Sequence, residues 1–133
     1  MDRLLDLAEE HMDPGSNQIR ELVWVKASTN AVSTWKLIQE TYKNWFDVKG
    51  IWAEIDRLLE ARNAIAHGLG SLTRTQQKKG DSARAKITAA GIAIVGTQIQ
   101  LTEQDLERAR NVCRNLIEAV DKGVSSHPLA AVV

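Results

Sequence analysis

The chain has 133 residues, 44% apolar and 26% charged, with two prolines, eight glycines and one cysteine, Cys113. That length matches one ordinary domain, which buries roughly two thirds of its unfolded surface and needs no disulfide or structural metal to hold a core. Seventeen basic residues balance seventeen acidic ones, which excludes a globally basic nucleic-acid binder and a disordered acidic chain, so an electrostatic partner has to be held by a local patch.

Leu4, Leu5, Leu7, Ala8 and Met12 recur at helical spacing before the stop and turn of Asp13-Pro14-Gly15, predicting a short first helix. Ser16 or Asn17 caps the next segment, in which Trp24, Ala31, Trp35, Ile38, Tyr42 and Trp45 share one stripe. The run Ser28-Thr29-Asn30 is a poor helix interior, because its side chains compete for backbone hydrogen bonds, and it is the expected division between two helices. Ile51, Ile55, Leu58, Leu59, Ile65 and Ala66 define the apolar face of a further helix, closed at His67-Gly68 with Gly68 expected in the left-handed conformation.

Residues 71–90 are polar and hold Arg74, Lys78, Lys79, Arg84 and Lys86 against a single acid, Asp81; short, irregular helices are expected there. Ile92, Ile94, Ile99 and Leu101 flank Gly96-Thr97, a pairing that suits a type II′ turn in a small hairpin. Thr102 and Asp105 resemble a capping box ahead of Leu106, Ala109, Val112, Cys113, Leu116, Ile117 and Val120, a last helix ending near Gly123. The expectation is an all-α bundle of four to six helices with at most one short β-hairpin at 92–101. It forms a single domain over 1–124 with a loose tail over 125–133. Cys113 is expected to be packed within the last helix, and His11 and His127 to lie on the surface. The lone cysteine, the charged start Met1-Asp2-Arg3 and the lack of any run near about 18 apolar residues suit a cytoplasmic protein away from membranes. Apolar surface on the tryptophan stripe beyond what one copy covers would imply a homodimer.

Candidate catalytic groups converge only on Glu60-Ala61-Arg62-Asn63-Ala64-Ile65-Ala66-His67-Gly68. At about 100° per residue, Asp56, Glu60, Asn63 and His67 fall on one polar stripe, while Arg62 lies at the edge of the apolar one. An arginine there needs an anion, since it cannot shed its charge; a carboxylate and a phosphate both fit. RNA cleavage by the neighbouring 2′-hydroxyl needs no protein nucleophile, only proton transfer and cationic stabilisation of the phosphate oxygens. Histidine supplies the first, arginine the second, and asparagine orients either.

The segment Arg62-Asn63-Ala64-Ile65-Ala66-His67 resembles the motif of the HEPN superfamily: an arginine, a polar residue that is often asparagine, and a histidine closing a four-to-six-residue spacer on a helix of a small all-α bundle. A weaker similarity extends over residues 45–122. The resemblance implies dimers in which two Arg/His pairs face one composite cleft. It also implies metal-independent endoribonuclease activity, without cofactor, in toxin–antitoxin or other defence systems, with a cognate antitoxin or regulatory protein as a further partner. On that footing Arg62 polarises the phosphate, His67 transfers a proton, Asn63 positions the pair, and the products are a 2′,3′-cyclic phosphate and a 5′-hydroxyl. Some members are silenced through a tyrosine two residues after the histidine, where this chain has Leu69. The superfamily also has non-catalytic members, so an inactive module binding RNA, a nucleotide or a protein is the alternative.

Arg74, Lys78, Lys79, Arg84 and Lys86 follow the motif closely enough to steer an RNA backbone, and equally form an ordinary solvated loop. Glu60 is expected to assist as a base or to pair with Arg62. Asp56, Glu60 and His67 are too far apart along the helix to close on one metal ion unaided. The tryptophans are read as packing residues, with Trp52, at the head of the polar stripe, the one worth testing as a base-stacking platform.

Overall fold

A computed structural model describes residues 17–128, and only the backbone of residues 17–21, 23 and 24. The expected first helix over residues 4–12, His11, the side chain of Trp24 and the end of the tail lie outside the described residues. Among those described, six helices and one two-stranded hairpin make an all-α fold. The elements are α1 (Asn17–Ser33), α2 (Trp35–Phe46), α3 (Trp52–Gly68), α4 (Arg74–Lys78), α5 (Ser82–Ala89), β1 (Ala93–Val95), β2 (Gln98–Gln100) and α6 (Glu103–Ser125). No helix among the described residues is long and apolar enough to cross a membrane. The chain divides into two compact units, a terminal one of Met1–Lys49 with Glu118–Val133 and a central one of Gly50–Ile117.

In the terminal unit, α1 runs through Ser28-Thr29-Asn30 without a break. The hydroxyl of Ser28 bonds the carbonyl of Val25, satisfying itself within the helix instead of ending it. The division falls at Thr34, which is extended (φ −140°, ψ 155°) and accepts the Leu37 amide on its hydroxyl to cap α2. Tyr42 and Phe46 meet one turn apart in a tilted arrangement, ring centroids 5.9 Å apart, and burial pushes the Tyr42 hydroxyl above its ordinary pKa. His127 is not a free surface residue, since its ring lies 5.3 Å from that of Phe46.

The last helix passes Gly123 and ends at Ser125. A Cβ at residue 123 would stand 2.6 Å from Val48 Cγ2 and 2.9 Å from the Phe46 carbonyl oxygen, so glycine here permits close approach of backbones and does not cap. Gly123→Ala is therefore expected to destabilise the protein by about 1 kcal/mol, because an overpacking cost of about 1–3 kcal/mol exceeds the gain in helix propensity. Urea denaturation of the two proteins measures it.

The central unit is built around Ala61, Ala64, Leu72, Ile87 and Ile92, with Leu58, Ala90, Ile94 and Ile99 packed against them. Small residues on α3 let α5 approach closely, and Ile87 fills the contact with no exposed surface. The hairpin pairs Ile94 with Ile99, whose side chains share one face while their neighbours are exposed. Gly96 turns it with φ +62° and Thr97 keeps a negative φ, the signs a type II′ turn requires.

Thr102 and Asp105 form the expected capping box at the start of α6. The Thr102 amide and hydroxyl donate to Asp105 Oδ2 at 2.9 and 2.8 Å, and the Asp105 amide donates back to Thr102 Oγ1 at 3.2 Å. The bond from the Thr102 amide, then that from its hydroxyl and the nearby Arg108 charge, hold the Asp105 carboxyl below the usual carboxylate range. The folded state thus binds fewer protons at this group than the unfolded one. Its contribution is complete above about pH 4 and is lost as pH falls through the folded value. In acid titration Asp105→Asn should be less stable than the natural chain near neutrality, and the gap should close at low pH.

Cys113 is exposed on α6 and is not packed in the core. The side of that helix turned inward carries Ala109, Val112 and Leu116, one step round from the sulfur.

Candidate functional site

The motif lies on the last two turns of α3, whose alanines and leucines favour a helix through to its end. Arg62 and His67 are five residues apart, so their Cα directions differ by about 140° and they stand about 7.5 Å apart along the axis. The arginine side chain spans this gap: its Nη1 is 3.3 Å from His67 Nε2 and donates to Asn63 Oδ1 at 3.3 Å. Arg62 and His67 are exposed and Asn63 half-buried, so the three expected site residues form one contiguous polar group.

A guanidinium nitrogen always donates, so His67 Nε2 must accept. The contact is a hydrogen bond in the tautomer that carries its hydrogen on Nδ1, with the Nε2 lone pair directed at Arg62. A cation and a proton acceptor stand side by side, open to solvent.

The helix is closed by a residue other than the one expected. Leu69, not Gly68, adopts the left-handed conformation (φ 51°), and its amide and that of Gly70 donate to the Ala64 carbonyl. Gly68 remains helical, and a Cβ there would meet Thr73 at 3.4 Å, an ordinary contact distance. Leu69 is 95% exposed, so its side chain offsets none of the about 1–2 kcal/mol that an L-residue costs there. Leu69→Gly should raise stability by about 0.5–1 kcal/mol after the entropy of glycine is counted, visible as a higher melting temperature.

The loop after the motif is clamped. Ile99 donates to the Gly70 carbonyl and Leu72 to that of Thr97, each at 2.8 Å, so the hairpin holds the chain leaving α3. Thr73 and Gln76 make a reciprocal cap on α4. Gln76, buried, then donates from Nε2 to both the Glu60 carbonyl and Glu60 Oε2 at 2.9 Å.

Glu60 is consequently not the partner of Arg62. Its carboxylate is taken by Gln76 and by Lys86, whose Nζ lies 3.7 Å from Oε1. It also stands about two turns from His67. Arg84 donates to the Gly96 carbonyl at 2.6 Å and braces the hairpin turn. Of the five basic residues, Arg74, Lys78 and Lys79 are exposed on or beside α4 without a side-chain hydrogen bond or ion pair among the described residues, and Arg84 and Lys86 serve the fold.

Trp52 is 4% exposed, too enclosed to stack on a base, whereas Trp45 is 40% exposed on α2. Among the described residues no three His, Cys, Asp or Glu side chains gather as a metal site. Gln76 escaped the sequence reading, although Thr73-x-x-Gln76 is a capping signature visible within the basic stretch. No family model matches the chain, and neither do the curated proteins or solved structures compared with it.

Proposed function

We propose that the protein is a HEPN-like, metal-independent endoribonuclease in which Arg62 and His67 act on one phosphodiester. The observation that carries this reading is the 3.3 Å contact of Arg62 Nη1 with His67 Nε2, with both side chains open to solvent. A phosphate entering there would draw the guanidinium onto its oxygens, where a planar fork binds best, and free the imidazole lone pair. His67 Nε2 then takes the proton of the 2′-hydroxyl, the 2′-oxygen forms its bond to phosphorus, and the bond to the 5′-oxygen breaks. The leaving oxygen takes a proton from a second imidazolium, which a second copy of the pair would supply. This is the chemical reason to expect a homodimer. Asn63 orients the guanidinium, and Arg74, Lys78 and Lys79 offer salt-sensitive contacts to neighbouring phosphates.

The same reading makes the protein a cytoplasmic toxin or defence component held in check by a regulatory protein. The alternative, a silent module that binds RNA without cleaving it, is favoured by the Arg62 bond itself, which occupies the lone pair that a base must use. Labelled RNA incubated in excess chelator with the natural chain, His67→Ala and Arg62→Ala separates the two. Cleavage lost in both variants supports the nuclease, and RNA retention without cleavage supports the silent module.

A further inference from the structure

A cavity of about 230 Å³ in the central unit is lined by Glu54, Arg57 and Leu58 of α3, by Ala90 just after α5, and by Arg108 and Val112 of α6. None of these residues belongs to the motif.

Arg108 is held in place. Its Nη1 donates to the Ala90 carbonyl at 2.9 Å and to Asp105 Oδ1 at 3.3 Å. The guanidinium also lies so close over Gly91 (φ +84°) that a Cβ there would collide with it. These bonds use Nη1 alone, so Nε and Nη2 keep three N–H groups available at a fixed position. Asp105 already balances the charge of Arg108.

Arg57 differs. It is half-buried and makes no hydrogen bond or ion pair among the described residues, Glu54 included. A guanidinium cannot discharge itself, so one that lines a cavity without a contact counter-ion favours an incoming anion.

We propose that this cavity binds a small organic carboxylate, with its head between Arg57 and Arg108 and its apolar body against Leu58 and Val112. Glu54 also lines the cavity but makes no ion pair with Arg57, so Arg57 lacks a contact counter-ion that a monoanion would supply. A phosphate dianion would bring a second negative charge, facing Glu54 and Asp105, whereas a planar carboxylate matches the guanidinium fork. The volume is below the roughly 300–1,000 Å³ of sites for drug-sized ligands, which suits a short acid. The site is independent of the RNA reading, since it shares no residue with it.

The test titrates the isotopically labelled full chain with hexanoate, 1-hexanol or inorganic phosphate at constant ionic strength, following the amide resonances of Leu58, Ala90 and Val112. Hexanoate should shift them saturably. Affinity should fall about tenfold or more in Arg57→Gln, as loss of a charge-assisted bond predicts. Arg57 has no internal partner, so that variant should keep its melting temperature. Should it unfold, Glu54→Gln gives the second reading, with unchanged or tighter hexanoate binding. The proposal is overturned by the absence of saturable shifts, by equal shifts from hexanol, by tighter binding of phosphate, or by hexanoate binding that Arg57→Gln leaves intact.

Discussion

Replacing Arg62 by alanine is expected to lower RNA cleavage by about 10²–10³-fold, the usual loss when a donor that stabilises developing charge is removed. His67→Ala should cost about 10²–10⁴-fold, the range for a positioned proton-transfer group. Both side chains are exposed, and the described contacts of Arg62 are to Asn63 and His67, so stability should change by no more than about 0.5 kcal/mol. Arg62→Lys should recover only part of the activity, because an ammonium keeps the charge and loses the planar fork. The double variant should lose far less than the product of the single losses, since the two groups act on one phosphate as a unit. A time course of cleavage with circular dichroism as the folding control checks all four proteins.

Ile87→Ala should produce the largest loss of stability, about 2–5 kcal/mol. Ile87 has no exposed surface and joins α5 to Ala61 and Ala64 of α3, to Leu72 and to Ile92. Ala61 and Ala64 line the α3 side, and such short side chains cannot reach into the space left behind. A domain of this size is stable by only about 5–15 kcal/mol, so the variant should unfold at markedly lower urea with its slope unchanged. Because α5 also carries Lys86, which pairs with Glu60, the loss should loosen the segment that brackets the motif.

What could be read from residues alone was local. The course of α3 follows from its apolar spacing, the hairpin from Gly96, and the start of α6 from Thr102 and Asp105, because each signal lies within four residues of what it controls. The Arg62–His67 pair was legible as two groups on adjoining turns, but their direct contact was not, because Arg62 was read as a partner of Glu60 or of a phosphate. Two misreadings arose where a distant partner decides. Gly123 resembled a helix end until Phe46 and Val48 were placed against it, and Glu60 resembled a partner for Arg62 until Gln76, sixteen residues away, took its carboxylate. The basic stretch looked uniform as charge, yet Arg84 and Lys86 have partners within the protein, and Arg74, Lys78 and Lys79 have none for their side chains among the described residues. Arg57 and Arg108 are fifty-one positions apart, and no spacing rule joins them.

The most direct test of the nuclease account uses an RNA that carries a single 2′-deoxy sugar at the scissile position, in excess chelator, with the product ends identified. The account predicts cleavage of the all-ribose strand to a 2′,3′-cyclic phosphate and a 5′-hydroxyl, and an intact deoxy strand. Cutting of the deoxy strand, or a 5′-phosphate among the products, would contradict it.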